Sequence, residues 1–403
     1  MKKSLQLILF LAIAIGAFAN GLSLNSVGVR AFGMGGAFVG LADDASAIHW
    51  NPAGMIGQKN SAMLFMTDVV PMASYTNYGI NVDAETDLNH YISPNLFGVY
   101  NYKDFAFGFG AYVPAGLGVE WNTLAGMAAL NGTLGANAEW MSKIFAIDFS
   151  PAVAYKLTDN IYLGCAVNIY YSMMELKRPE DMNGDRIFDT QTSFDISGLG
   201  YGSVLSLKLT NDLLDFGLTY KTPIMVDYDG TMNIDLPGYG DYDMEFHIEW
   251  PTWIGAGIAV KPYDGLKVVF DVQYTNWNEM TTLVADVDVI GEKEMHLYWH
   301  DAVQYRLGAE YVINKEYTVR GGYYLDPAPC GDATVNILFP SLTNHAATGG
   351  VSYTHRDFTV DFGMEYLISM SRQIDQELYN MSGSHKMDIF AFSLGGSYFI
   401  PVR

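Results

Sequence analysis

From about residue 61 onward, apolar and polar residues alternate. Between Leu266 and Tyr274 the even positions Leu266, Val268, Phe270, Val272 and Tyr274 are apolar, while Lys267, Asp271 and Gln273 stand between them. The same split sets Val303, Tyr305, Leu307, Ala309 and Tyr311 against Gln304, Arg306, Gly308 and Glu310. It also sets Phe358, Val360, Phe362, Met364 and Tyr366 against Thr359, Asp361, Gly363 and Glu365. A period of two marks a β-strand with one apolar and one polar face. Periodicity alone leaves a soluble sheet open, because an antiparallel strand with one solvated face alternates too.

The punctuation between the runs narrows the choice. Short polar breaks fall at Tyr102-Lys103-Asp104, Thr158-Asp159-Asn160, Thr210-Asn211-Asp212, Pro262-Tyr263-Asp264-Gly265, Asn314-Lys315-Glu316 and His355-Arg356-Asp357. Longer Gly-, Asp- and Pro-rich stretches lie near 79–91, 119–142, 177–195, 229–244, 279–300, 326–346 and 371–386. Six tight turns and seven long loops make thirteen connections, hence fourteen strands. This predicts an all-β membrane protein, a 14-stranded antiparallel outer-membrane β-barrel with both termini periplasmic, in a Gram-negative-type bacterium. Tyr100, Tyr102, Tyr155, Tyr162, Tyr170, Tyr171, Tyr274, Trp277, Tyr323 and Tyr324 are then expected in its interfacial girdles. A soluble propeller is the rival architecture, but no blade motif is present.

The ends sharpen the picture. Lys2 and Lys3, an uncharged stretch to Ala19 and the small-x-small site Ala17-Phe18-Ala19 predict a secretory signal peptide over 1–19. Residues 20–60 then form an N-terminal hatch and 61–403 the barrel. After Ala19 no apolar run reaches the ~18 residues of a membrane helix.

Composition changes less. With 22 Lys+Arg against 44 Asp+Glu, a net charge of -22 excludes a nucleic-acid partner. Charged residues at 16%, with 27 Tyr and 22 Phe, suit a wall that faces lipid. Cys165, in an alternating run, and Cys330, in a loop, read as unpaired. His296 and His300 lack a zinc-protease context, and Gly198-x-Gly200-x-Gly202 lacks that of a nucleotide loop. Asp181-x-Asn183-x-Asp185 is half a calcium loop, with Arg186 where Gly is wanted. No catalytic residue, metal or cofactor is assigned.

Residues 28–57 are crowded with Gly and Ala and are not strand-like, which suits a plug packed in a confined space. The string GMGGAFVGLADDASAIHWNPAGM closely resembles the hatch motif of the FadL-type outer-membrane transporters for long-chain fatty acids and hydrocarbons, with Asn51-Pro52-Ala53 as the NPA triplet. FGFGAYVPAGLGVEW (107–121), DVQYTNWNEM (271–280) and YTVRGGYYLDPAPC (317–330) resemble further segments of that family in the same order. The resemblance implies a fourteen-stranded barrel closed by a hatch, with substrate captured among the outer loops and released sideways past a kinked third strand. Gly35, Gly36, Asp43, Asp44, Asn51, Pro52 and Ala53 become hatch or gating candidates. Gly108, Gly110, Pro114 and Gly116 become candidates for the strand at the lateral gap, being residue types that bend a strand or open a ladder.

Trp121, Leu124, Met127 and Leu130 are candidates for apolar ligand capture, although a loop merely packed over the barrel mouth would show the same residues. A fatty acid carboxylate would need a cation. Lys267, Arg306 and Arg320 face the lumen by alternation and Arg30 lies in the hatch, but Asp271, Glu310, Asp361 and Glu365 share that face and favour structural pairing. The expected function is passive uptake of a hydrophobic small molecule by a monomer whose other partner is membrane lipid. Barrels of the PorV type, shuttles for exported proteins, share the hatch string and remain the alternative.

Overall fold

The computed structural model describes residues 21–25, 27–122, 126–182, 185, 187–375 and 381–401. The signal-peptide reading and the capture candidate Leu124 therefore lie outside the described residues, as do Asn183 and Arg186 of the calcium-loop comparison.

Fourteen antiparallel strands close a barrel. They are β1 (Ser61–Asn77), β2 (Tyr91–Tyr102), β3 (Phe105–Glu120), β4 (Met141–Lys156), β5 (Ile161–Glu180), β6 (Thr190–Thr210), β7 (Leu214–Lys221 continuing as Ile224–Asp235) and β8 (Asp241–Trp250 continuing as Trp253–Tyr263). Then follow β9 (Leu266–Thr275 continuing as Thr282–Val287), β10 (Gly291–His296 continuing as Ala302–Val312), β11 (Tyr317–Asp326), β12 (Asn344–His355), β13 (Phe358–Ser369) and β14 (Gly383–Phe399). Each pairs with its neighbour in sequence, and β14 returns to β1 from Ser61↔Phe399 to Thr76↔Ser384. The six tight turns fall where the polar breaks predict them.

Three expected long loops are shorter than the sequence suggests. Much of 177–195, 229–244 and 279–300 is strand. Here Gly and Asp imitate a loop, but Met232, Ile234, Met244 and Phe246 still alternate inward, while Asp229, Glu245, Asp286 and Glu292 point out and are exposed. Acidic side chains on the outer face place this part of the wall in water. Strands β5 to β10 thus rise beyond the lipid as a collar.

Below the collar the outer face is apolar. Leu64, Phe107, Leu205, Phe270 and Leu394 stand exposed there, as a lipid-facing wall requires. Of the expected girdle residues, Tyr100, Tyr102, Tyr155 and Tyr323 are exposed, but Tyr170, Trp277 and Tyr324 are buried inside. Tyr170 and Tyr324 each follow or precede another Tyr, and adjacent strand residues must take opposite faces. Trp277 opens a 3-10 turn (Trp277–Met280) that interrupts β9 and turns its ring inward.

Inside the barrel, residues 27–55 are almost wholly buried. They form helix α1 (Val29–Gly33), helix α2 (Ala47–Trp50) and a 3-10 turn (Pro52–Met55) that starts on Pro52, where a missing N–H costs nothing. Helices this short are held by packing rather than by their own hydrogen bonds. The wall makes room with glycine. A side chain at Gly108, Gly164, Gly217, Gly257, Gly308, Gly322 or Gly363 would collide with hatch atoms.

Candidate functional site

The collar encloses a cavity of about 670 Å³. Its lining is drawn from the inward faces of β4 to β10 and is strongly apolar, with Met174, Met232, Met244, Met280, Met295, Phe194, Phe246, Leu283 and Trp299 among it. Charged residues that line it include Arg178, Glu180, Asp181, Lys293 and Glu294, and Arg178 is ion-paired to Glu180. Unbranched, polarisable Met side chains fill space adaptably, which suits a site for flexible or varied apolar guests. The volume lies within the usual range for small-molecule sites.

A smaller cavity of about 110 Å³ lies deeper, on top of the hatch. Leu22 lines the outer cavity and Ser23, Leu24 and Asn25 line the inner one, so the N-terminal segment stands between them. The inner cavity sets polar and charged side chains, His49, Asp148, Asn168, Lys221 and Arg306 among them, beside aromatic and apolar ones. Lys221 lies 3.2 Å from Nε2 of His49 and 4.6 Å from the centroid of Trp253, and among the described residues no carboxylate lies within ion-pair distance of it. Arg306, 1% exposed, bonds Gln304 (2.5 Å), the Gly35 carbonyl (2.9 Å) and Asn25, yet among the described residues its buried Nε has no partner. Burial, with Lys221 and Arg306 nearby, pushes the His49 imidazole well below its ordinary value, so it is neutral.

The wall is open beside this cavity. Strands β2 and β3 pair only from Tyr102↔Phe105 to Leu96↔Ala111. Beyond that, the pairs Tyr91↔Val69 to Asn95↔Phe65 join β2 to β1, and β3 pairs with β4 on one side and, at Ala115, with Ser23 of the N-terminal segment rather than with β2. Both lips carry a proline, Pro94 and Pro114, and a proline cannot donate to a ladder. Val113 and Pro114 form a bulge in β3, since Tyr112 opposes Asp148 while Ala115 opposes Ala146. At the top, the Tyr91 ring closes over Gly118, where a side chain would collide with it. The opening is about four residues, or ~13 Å of strand, long. Its inner side is covered by the N-terminal segment, where the Leu24 N–H donates to the Pro114 carbonyl (2.9 Å) and the Gly116 N–H to the Leu22 carbonyl (3.1 Å). Of the other gap candidates, Gly108 lies lower, against Ile48 and Met55 of the hatch, and Gly110 beside Phe97 and Tyr112.

The hatch candidates sit at its contacts with the wall. Asn51 donates to the carbonyls of Val39 (3.1 Å) and Leu207 (3.2 Å), and the Ala53 N–H donates to Ser206 Oγ (2.9 Å). Gly35 and Gly36 both take positive φ, 67° and 66°, and aim their carbonyls at Arg306 and Gln273. Asp44 caps Ser46, accepting from its N–H at 2.9 Å. Asp43 meets Arg30 (2.9 Å) and Lys267 (2.6 Å). Burial alone would raise the Asp43 carboxyl, but these cations, with Lys208, hold it well below the usual carboxylate range.

Three of the four proposed carboxylate partners are already engaged by carboxylates, Arg306 being held instead by neutral acceptors. Arg30, Lys267 and Arg320 converge on Glu310 at 2.9, 3.3 and 2.6 Å, and Arg320 also reaches Asp361 at 3.3 Å. Lumen charges near the turn end thus pair among themselves. Trp121, Met127 and Leu130 are buried in a separate loop core with Trp140, Ile337 and Leu342, and Trp121 Nε1 donates to the Ile337 carbonyl (2.9 Å). They do not line the outer cavity. The cavity residues and Lys221 were missed because each is an ordinary inward position of an alternating strand, and only closure of the barrel brings them together. The one chemical signal was the density of inward Met residues. Cys165 is exposed on the wall and Cys330 buried in a loop, both free.

A closed barrel with a lipid-facing wall, an internal hatch, an outer apolar cavity and a side opening defines an outer-membrane transport protein. The chain belongs to the family described as outer membrane protein transport protein (OMPP1/FadL/TodX), whose model matches residues 10–394. It is 23% identical over 426 residues to the long-chain fatty acid transport protein of Salmonella typhi, covering 94% of each chain. It is likewise 23% identical to outer membrane protein P1 of Haemophilus influenzae, covering 91% of this chain and 90% of that one. Among solved structures it resembles a Pseudomonas aeruginosa FadL homologue (TM-score 0.80, 16% identity, 94% of this chain and all of the other). It also resembles the P. putida toluene transporter TodX (TM-score 0.79, 16% identity, the same coverage). It is a transport barrel of the outer membrane and not an enzyme.

Proposed function

We propose that this protein is a passive channel for hydrophobic molecules, long-chain fatty acids or hydrocarbons. The guest is captured in the outer cavity, passes the N-terminal segment as the hatch around Asn51-Pro52-Ala53 rearranges, and leaves sideways through the opening between β2 and β3. The observation that carries this reading is the order of the parts: an apolar cavity facing outward, a short segment beneath it, and beside that segment a stretch of wall where β2 and β3 do not pair with each other. A shuttle for exported proteins needs neither the cavity nor the opening.

Lateral exit also makes energetic sense. A hydrocarbon chain gains about 0.8 kcal/mol per methylene on leaving water, so release into the membrane core costs far less than release into the periplasm. Lys221 offers a carboxylate a place to stop that a hydrocarbon does not use. Uptake of labelled oleate and toluene by cells with and without the protein tests the proposal. Both should depend on the protein, and Lys221→Met should slow oleate more than toluene. Unchanged uptake of both compounds in cells lacking the protein would refute it.

A further inference from the structure

We propose that Asn95 is a positioning residue that keeps the side opening from zipping shut, by giving the first free donor of β3 a side-chain partner instead of a strand partner. The inference rests on the lateral-exit reading above. In the register that ends at Leu96↔Ala111, the next pair would be Asn95 with Tyr112. That pair is missing, and three observations show what replaces it.

First, the bulge draws Tyr112 and Val113 inward together, each 1% exposed, which a regular strand forbids. Second, Tyr112 is anchored there. Its hydroxyl donates to Asp148 Oδ2 (2.9 Å) and lies 3.1 Å from Ser150 Oγ, while its ring stacks on Phe97 at 5.0 Å and meets His49 of the hatch edge-on at 5.1 Å. Third, the Val113 N–H donates to Asn95 Oδ1 (2.9 Å), and Asn95 Nδ2 donates to the Ser93 carbonyl (2.9 Å). Asn95, 2% exposed, thereby spends both ends of its amide on the backbone of the two lips.

A buried N–H must find an acceptor. Here a side chain supplies it and holds the lips one side chain apart, where a ladder bond would draw them to strand spacing. Without that acceptor, the nearest remedy for Val113 is a carbonyl of β2, reached by extending the ladder. One further bonded pair would consume about two residues, ~7 Å of the ~13 Å opening.

The test uses Asn95→Leu, similar in shape and without an acceptor, and Tyr112→Phe, which frees the bulge from Asp148 but keeps the ring. A third protein carries Ser93→Cys and Pro114→Cys, one on each lip, in a Cys165→Ser, Cys330→Ala background. Folding is followed by heat-modifiable gel mobility, capture by binding of a fluorescent fatty acid to the purified barrel, and transport by uptake into cells. Asn95→Leu should bind as the parent does, take up the probe several-fold more slowly, and raise the rate at which a short bis-maleimide links the two cysteines. Tyr112→Phe should shift uptake the same way and serves if Asn95→Leu fails to fold. Normal uptake by the folded variants, with an unchanged linking rate, overturns the role of Asn95. If linking the two cysteines leaves uptake intact, lateral exit itself is wrong. If it blocks uptake while Asn95→Leu is silent, only the present inference fails.

Discussion

Asp271 ties wall to hatch through three backbone N–H groups, and replacing it with alanine should unlatch the hatch. Its carboxylate accepts the backbone N–H groups of Phe38 (2.7 Å), Val39 (2.7 Å) and Gly40 (3.3 Å). All four residues are buried, Asp271 with 0% exposure. Alanine leaves three donors without an acceptor, each at a cost of about 1–3 kcal/mol if nothing relaxes. The sum, about 3–9 kcal/mol, exceeds the ~3 kcal/mol that turns a hatch open 1% of the time into one half open. Relaxation and water entry will reduce it, but even one third of the upper figure is enough. Planar-bilayer conductance reads the result. The parent should be nearly closed to small ions, whereas Asp271→Ala should show frequent openings, and Asp271→Asn, which keeps one acceptor oxygen, fewer. Equal conductance in the alanine variant and the parent, with the hatch equally protected from protease, would show that Asp271 does not hold the hatch.

Three further outcomes are expected. Gly217→Val should dislodge the hatch, because a side chain there collides with the Val39 carbonyl and lies 2.7 Å from Asn51 Nδ2; loss of hatch protection from protease measures it. Met244→Ser with Phe246→Ser should weaken fatty acid binding to the outer cavity by about 1–3 kcal/mol, as read by fluorescent-ligand titration on protein that heat-modifiable gel mobility shows to be folded. Glu310→Leu takes from Arg30, Lys267 and Arg320 the carboxylate they share, leaving Asp43, Asp44 and Asp361 to balance them; removing one partner of a buried ion pair costs at most about 3–5 kcal/mol. The melting temperature in detergent should fall, and Glu310→Gln should fall less.

The wall was legible because its chemistry is repeated. Alternation in β9, β10 and β13, with the tight turns between strands, places Lys267, Asp271, Arg306 and Glu310 on the lumen side, where they lie. The collar was harder to read. In β7 and β8 a strand rich in Asp, with Gly230, Gly238 and Gly240 nearby, reads as loop until its neighbours bury Met244 and Phe246. The site was less legible still. Lys221 acquires meaning only when His49, 172 residues earlier, is docked against it. Asn95 looks like any polar strand residue until the bulge at Val113 leaves a donor for it. Local pattern records which face a side chain takes, and it does not record which strand arrives opposite.

The missing side chains around the hatch also bear on how the protein is made. Hatch backbone fits into notches at Gly164, Gly217, Gly257, Gly308 and Gly322, and hatch side chains into those at Gly108 and Gly363, on strands from β3 to β13. The Thr348 hydroxyl donates to the Gly33 carbonyl across 315 positions of sequence. Each notch needs a wall strand already in place, so a finished hatch cannot be threaded into a finished barrel. The hatch, residues 27–55, must therefore wait, enclosed but unsettled, until the seam between β1 and β14 closes around it. Loop closure over such separations is slow, and the last event of assembly is then the seating of a segment synthesised before any strand of the wall.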